Sequence, residues 1–180
     1  MREAGNGAIR GRMPRPTVLL LSALALVLAE SSLAASGDWL SANQDPGAQR
    51  HSILKQITAG NVAGLKEAWV YHMQPADGSA GTRLVVGQAV PVVVDGTMYI
   101  STPYGRVVAL DAATGTEKWN FTIPDNGRAS TRGVAFWPGD KEHGAAILFA
   151  ERQGKLYSLD AATGRPNAAF GEGGFVETKT

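Results

Sequence analysis

The chain has 180 residues with a formal net charge of +1, and its 44% apolar and 18% charged residues are typical of a globular protein. Residues 35–180 contain 13 basic and 14 acidic side chains without a charge run, which disfavours a nucleic-acid-binding protein. Cysteine is absent, so the chain holds no disulfide, thiolate metal site, c-type haem attachment or lipid-modified cysteine.

The N-terminal element predicted from the sequence is a secretory signal peptide over residues 1–34. A basic stretch ends at Arg15, and an apolar run of 13 residues follows over 17–29. Small residues then permit cleavage after Ala34 or after Ser36. The apolar run is shorter than the ~20 residues that a membrane-spanning helix needs, although an uncleaved anchor is the alternative. We therefore predict a periplasmic protein with no integral membrane span beyond this segment.

A six-residue repeat, LDAATG, organises the rest of the chain. Its two copies end at Gly115 and Gly164, which are 49 residues apart, and Trp69 precedes Trp119 by 50 residues. A period near 50 residues is typical of solenoids and propellers, in which each repeat is one supersecondary unit. Two unrelated hairpins that share a turn by chance are the alternative.

Four β-rich runs in each period favour propeller blades over a solenoid. In the first unit, Asp95-Gly96 is a strong hairpin signal, and strands are predicted over 89–94, 97–102, 106–110 and 117–121. In the second unit, Gln153-Gly154 marks the middle hairpin, and strands are predicted over 132–136, 145–150, 155–159 and 167–170. Four antiparallel strands per ~50 residues form a β-propeller blade. The predicted fold is therefore all-β, with about two such blades.

The DAATG segment suits a corner between the third and fourth strands of a blade. The carboxylate of Asp111 is expected to accept amide protons in the turn, and Gly115 is expected to adopt a positive φ. Four residues after this glycine, Trp119 is placed to lay its ring on the neighbouring blade. The second copy has Ala168 at the corresponding position, so we expect looser packing there, or Phe170 as a substitute.

Several motifs resemble one known family. ALDAATGTEKW, residues 109–119, is similar to the tryptophan-docking motif of alcohol and sugar dehydrogenases that depend on pyrroloquinoline quinone (PQQ). QRHSILKQITAGNVAGLKEAW resembles the N-terminal segment of that family, and TRGVAFWPGD resembles the inner strand of its next blade. The likeness extends from about Trp39 to Val176.

The resemblance implies an eight-bladed propeller that holds PQQ and usually calcium in its central channel. Such an enzyme oxidises primary alcohols or aldose sugars and passes electrons to a quinone or a cytochrome. With ~50 residues per unit, residues 35–180 have room for only two full blades. We therefore interpret them as the N-terminal blades of a longer protein, inactive alone. The calcium ligands, general base and stacking tryptophan of the family belong to later blades, so no catalytic residue or metal ligand is assigned here.

Two cofactor-binding residues are predicted, Gln88 and Arg132. Arg132 aligns with the arginine that the family places on PQQ, a flat ortho-quinone whose three carboxylates suit a planar guanidinium. Gln88 stands where many methanol- and ethanol-oxidising relatives have glutamate. Independently of the family, both residues precede inner strands of successive blades, 44 residues apart, so we expect them at the same channel mouth. A structural role at the channel is the alternative for both.

The subtype and the rival functions follow from what this sequence lacks. Gln88 and the absence of the adjacent cysteine pair of methanol dehydrogenases favour the glucose-dehydrogenase-like or unclassified branches. The alternative function is a non-catalytic scaffold that binds proteins, because similar repeats occur in propellers of the outer-membrane assembly machinery. Those relatives are typically lipoproteins, which need a cysteine after the signal. An inactive truncated product is the third possibility.

Overall fold

Two four-stranded antiparallel sheets form the fold, and we call them blade 1 and blade 2. The computed structural model describes residues 37–45, 47–76, 78, 85–130 and 132–178, and the predicted signal peptide lies outside them. Blade 1 contains the strands β1 (Val92–Val94), β2 (Thr97–Ser101), β3 (Arg106–Asp111) and β4 (Glu117–Thr122). Blade 2 contains β5 (Ala135–Trp137), β6 (Ala146–Ala150), β7 (Lys155–Asp160) and β8 (Phe175–Glu177).

The strands of each blade follow one another in sheet order, as the repeat predicts. A short 3-10 helix, η1 (Val62–Gly64), lies in the segment that precedes blade 1. Among the described residues, no helix has the length and apolar character required to cross a membrane.

The fourth strand of blade 2 corrects the sequence prediction. Residues 167–170 form a turn rather than a strand, in which the Phe170 amide donates to the Asn167 carbonyl at 2.8 Å. Positive φ angles at Gly171, Gly173 and Gly174 then redirect the chain, and β8 pairs with the beginning of β7. This later segment is the strand because its Phe175 ring packs 5.5 Å from Tyr157, whereas Ala168 and Ala169 offer little apolar surface.

Apolar side chains from both blades share one core. Val107 and Ala109 of β3 belong to a buried cluster with Ile147 and Leu159 of blade 2. Val108 and Leu110 point to the other face and contact Trp69, Tyr71 and Met73 of the preceding segment. Because side chains alternate along a strand, β3 is buried on both faces and blade 1 lies between two apolar layers.

The repeated corner is a docking site for a tryptophan from the preceding unit. The indole N–H of Trp119 donates to the Ala161 carbonyl of blade 2 at 3.0 Å, which confirms the predicted contact with the neighbouring blade. The indole of Trp69 makes the equivalent bond to Ala112 of blade 1 at 3.3 Å. Each ring lies against a corner glycine: a Cβ at Gly115 or Gly164 would lie 2.5 Å from the Trp69 or Trp119 ring.

The aspartate of the corner closes the turn as expected. The Asp111 carboxylate accepts hydrogen bonds from the amide of Thr114 at 2.9 Å and from its hydroxyl at 3.0 Å. These bonds hold the pKa of Asp111 below its usual range, with the Thr114 side chain as the largest cause. Gly115 has φ of 71°, the left-handed conformation that glycine adopts without steric cost.

Each blade has two distinct ends. At the corner end, the amide of Ala112 donates to Gly96 at 2.9 Å, and the amide of Ala161 donates to Ala145 at 3.0 Å. At the opposite end, β1 and β5 begin and β2 and β6 finish, because adjacent strands are antiparallel. We call it the channel end because the sequence predicts a channel mouth there. The predicted site residues precede β1 and β5, so they lie at the channel end.

Candidate functional site

The segments that lead into the two inner strands lie side by side. Val90 and Gly133 form a parallel bridge between the blades. Gly133 has φ of 104°, and a Cβ there would lie 2.8 Å from the Val90 carbonyl oxygen. Only glycine permits this close approach without displacing the backbone. The glycine of TRGVAFW therefore brings together the segments that carry Gln88 and Arg132.

The two predicted residues are adjacent in backbone but differ in surroundings. Gln88 is exposed and lines a cleft between the blades at the channel end. Arg132 is also exposed, and its amide donates to the Ser130 hydroxyl at 3.3 Å, but its side chain is not part of the cleft lining. The structure thus places both residues at the same end without gathering their side chains in one pocket.

Two arginines of the cleft, Arg128 and Arg152, are not among the residues predicted from the sequence. They line it together with Gln88 and the hydroxyl residues Ser101 and Ser130. Arg128 lies in the loop before β5, and Arg152 lies in the turn between β6 and β7. Their position in the sequence could have identified them. Both are cations in loops at the channel end of a predicted blade, and loops often carry ligand-binding residues.

Backbone hydrogen bonds fix these two arginines relative to each other. The amide of Arg152 donates to the Arg128 carbonyl at 3.0 Å, and the amide of Ser130 donates to Ala150 at 2.7 Å. Ala129 and Glu151 form the bridge between these two bonds. The cleft walls therefore extend the β-pairing within blade 2 and are not independent loops.

Glu151 is a buried carboxylate beside the cleft. Its side chain belongs to a residue that is only 6% exposed, and Oε2 accepts the Gln153 amide proton at 2.8 Å. Oε1 is also buried and has no hydrogen-bond partner among the described residues. An unpaired buried carboxylate oxygen is costly, so we expect this oxygen to attract a hydrogen-bond donor.

A larger cavity of about 380 Å³ adjoins the cleft and shares Gly87, Ala89 and Pro103 with it. Tyr71, His72 and Met73 line its other side. This volume falls in the range that is usual for small-molecule sites. The amide, hydroxyl and guanidinium groups of the neighbouring cleft add hydrogen-bond donors. A ligand that carries a carboxylate therefore fits the donor chemistry at this end of the blades.

A second polar cluster holds the preceding segment against blade 1. Arg106 donates to the Met73 carbonyl at 2.9 Å and lies 3.9 Å from the Glu117 carboxylate, which accepts the Tyr71 hydroxyl proton. Burial and the bond to Glu117 raise the pKa of Tyr71 to about 12. Arg106 and Glu117 are paired within this cluster, which indicates a structural role, while the buried Nε of Arg106 has no hydrogen-bond partner among the described residues.

Metal ligands are not gathered in the described part of the chain. No three His, Asp or Glu side chains there lie close enough together to bind an ion. His143 Nδ1 and Asp140 Oδ1 lie 3.0 Å apart at the corner end of blade 2, a pair rather than a group of three.

Known proteins resemble this chain in sequence and structure. Residues 39–180 match the β-propeller domain of the PQQ glucose/ethanol/alcohol dehydrogenase family. The dehydrogenase subunit of a quinone alcohol dehydrogenase from Gluconobacter oxydans is 38% identical over 137 residues, which are 72% of this chain and 16% of that protein.

Two solved structures are similar to this chain. The crystal structure of quinohemoprotein alcohol dehydrogenase from Comamonas testosteroni aligns with a TM-score of 0.60 and 33% identity, over 79% of this chain and 19% of that one. A europium-containing methanol dehydrogenase aligns with a TM-score of 0.54 and 29% identity, over 71% and 22% of the two chains. The chain thus spans between 16% and 22% of the length of these relatives.

Proposed function

The chain belongs to the family of PQQ-dependent glucose, ethanol and alcohol dehydrogenases, and on that premise we propose that it forms the N-terminal blades of such an enzyme. The enzyme oxidises an alcohol or an aldose sugar at a CH–OH group, in the periplasm, and passes the electrons to a quinone or a cytochrome. The match over residues 39–180 is the observation that carries the proposal. The quinone alcohol dehydrogenase of Gluconobacter oxydans supports an alcohol as substrate and a quinone as acceptor.

The channel end of the two blades supplies groups that suit PQQ. When bound, this cofactor supplies an ortho-quinone that accepts two electrons from the substrate. Arg132 offers a planar guanidinium to an oxygen pair, and Gln88 offers an amide that donates or accepts without charge. Gly133 keeps these two segments adjacent. These residues bind and orient the cofactor, while the general base belongs to later blades.

Calcium is the metal that we propose for the complete enzyme, with ligands outside this chain. The europium-containing methanol dehydrogenase supports the presence of a metal ion in this family. A metal near the cofactor would also compensate for anionic groups there.

A PQQ titration of the complete apo-enzyme tests the roles of Arg132 and Gln88. Arg132→Lys keeps the charge but loses the bidentate geometry, so PQQ affinity should fall, and Arg132→Ala should weaken it by about tenfold or more. Gln88→Glu places a negative charge near an anionic cofactor and should weaken binding unless calcium compensates. Titrations with and without calcium, followed by dye-linked oxidation of ethanol and glucose, distinguish these cases.

Two outcomes would contradict the proposal at different levels. If Arg132→Ala binds PQQ and turns over like the parent protein, the assignment of Arg132 is wrong. If the parent protein itself neither binds PQQ nor oxidises any alcohol or aldose, the enzyme function is wrong, and a protein-binding propeller becomes the better hypothesis.

A further inference from the structure

Two guanidiniums line the inter-blade cleft. Within the described residues, ion pairs involve Arg106, Lys118 and His143, and neither Arg128 nor Arg152 takes part in one. Arg128 is half-buried and Arg152 is exposed, and both line the cleft. Two like charges on directly paired backbone segments repel, so an anion bound between them would stabilise the arrangement.

The backbone keeps this pair of charges in place. The Arg152 amide donates to the Arg128 carbonyl at 3.0 Å, so the two side chains leave directly paired backbone segments. The hydroxyl of Ser101, a residue only 3% exposed, lies 3.5 Å from the Ser130 carbonyl and closes the blade 1 side. Binding an anion here requires little reordering of the walls, which favours affinity.

The size of the cleft limits what it binds. Its volume is about 80 Å³, against about 380 Å³ for the adjoining cavity. The cleft therefore accommodates one small anionic group and not a tricyclic ring. A carboxylate meets this limit, and it is the planar partner to which guanidinium hydrogen bonds are best matched.

We propose that Arg128 and Arg152 form a carboxylate-binding subsite at the channel end of the cleft. The proposal rests on the proposed function for its main source of carboxylate, since PQQ carries three such groups. One carboxylate would enter the cleft between the arginines, while the ring system would stay outside the cleft. A free organic acid offers the same chemistry from a second source.

The competing partner for these arginines is Glu151. Its buried Oε1 lacks a hydrogen-bond donor among the described residues, and it belongs to the same turn as Arg152. If a guanidinium rotates to satisfy this oxygen, the pair is a structural ion pair and not an anion site. Glu151→Gln separates the two cases, because it removes a repelling charge from an anion site but removes the partner from an ion pair.

Calorimetric titration of the complete, PQQ-free protein with pyridine-2,4-dicarboxylate tests the subsite without relying on catalysis. The uncharged pyridine-2,4-dicarboxamide is the matched control ligand. We expect the dicarboxylate to bind and the diamide not to, and we expect Arg128→Ala and Arg152→Ala each to weaken binding by about tenfold. The corresponding Lys variants should lose less. Arg165→Ala, an exposed arginine at the corner end, should leave the affinity unchanged.

Thermal unfolding of each variant completes the test, and the Lys variants replace any Ala variant that does not fold. Glu151→Gln should tighten dicarboxylate binding. Unchanged dicarboxylate affinity in the Arg128 and Arg152 variants would overturn the subsite. A loss of stability in both Arg152→Ala and Glu151→Gln, without a change in dicarboxylate affinity, would also overturn it and would indicate a structural ion pair.

Preloading the protein with PQQ identifies the source of the carboxylate. Competition between PQQ and the dicarboxylate assigns the subsite to the cofactor, and independent binding assigns it to a separate acid. If the protein fails to bind PQQ but retains arginine-dependent dicarboxylate binding, the proposed function fails while the subsite stands.

Discussion

At the scale of single residues, the docking corner depends on a glycine and a tryptophan from different blades. Gly164 has φ of 70°, and a Cβ there would lie 2.5 Å from the Trp119 ring. The glycine thus meets two requirements at once, one from the turn and one from the ring of the neighbouring unit. Gly115 and Trp69 form the same pair one unit earlier. Both copies of the repeat therefore have the glycine–tryptophan contact as well as the turn.

Gly164→Ala should lower the stability of the complete protein by more than the cost of placing alanine in the left-handed conformation. Gly173 provides the matched control, because its φ is 66° but nothing lies within 4 Å of its Cβ position. Gly173→Ala should cost only the ~1–2 kcal/mol of a left-handed alanine, and Gly164→Ala should cost that plus the displacement of the indole. Urea denaturation midpoints measure both. Equal costs for the two variants would show that the Trp119 ring yields freely.

Trp119→Ala should cost the complete protein ~3–5 kcal/mol, the usual penalty for truncating a packed aromatic side chain. The Trp119 ring is half-buried and lies 5.9 Å from the Tyr99 ring, and its N–H satisfies the Ala161 carbonyl. Trp119→Phe keeps a ring but not the donor, so it should lose less. Chemical denaturation compares the variants, and a neutral Trp119→Ala would mean that the blade contact contributes nothing.

At the scale of elements, the segment that carries Trp69 is attached to blade 1 by the polar cluster as well as by its apolar face. Tyr71 and Arg106 connect it to β3 and β4 through Glu117. The preceding segment contains no strand among the described residues, so strand pairing does not attach it to blade 1. The polar cluster supplies hydrogen bonds and an ion pair in its place.

This attachment should weaken at alkaline pH. Burial and Glu117 raise the pKa of Tyr71 from 10.0 to about 12 in the folded state. Because the folded pKa is the higher one, the stabilisation is complete below pH ~10 and is lost as the pH rises through about 12. Tyr71→Phe should flatten the stability profile over this interval. Thermal melts between pH 8 and 12 provide the measurement, and an identical slope in both proteins would contradict the assignment.

At the scale of the whole molecule, the two described blades leave much apolar surface and several strand edges without partners. β4 and β8 each pair on one side only within the described part of the chain. Several large apolar side chains in the segment before blade 1 are at least half exposed: Ile53, Leu54, Ile57, Leu65 and Val86. Open edges and exposed apolar residues both promote association.

Residues 35–180, produced alone, should therefore be poorly soluble or molten. Sedimentation velocity and calorimetry provide the measurement, with the complete protein as control. A soluble monomer with a sharp cooperative unfolding transition would show that two blades suffice for an independent fold, contrary to this expectation.

The blade plan was predictable from the sequence because its determinants are local or periodic. Strand alternation, the Asp95-Gly96 turn and the 49-residue spacing of LDAATG all lie within one or two units of the chain. Seven of the eight predicted strands overlap observed ones, and the contact between Trp119 and the next blade follows from the same period. Gln88 and Arg132 lie at the same end of the two blades for that reason, and their contact with a cofactor stays a prediction.

Only the tertiary structure decided the remaining features, because they depend on contacts between residues distant in sequence. β8 replaces the predicted strand at 167–170 because Phe175 finds Tyr157 to pack against, which no local pattern of the segment specifies. Arg128 and Arg152 share a cleft because a loop and a turn pair through their backbones. The sequence by itself thus determined which units the chain builds, and the packing of one unit on another decided which side chains meet.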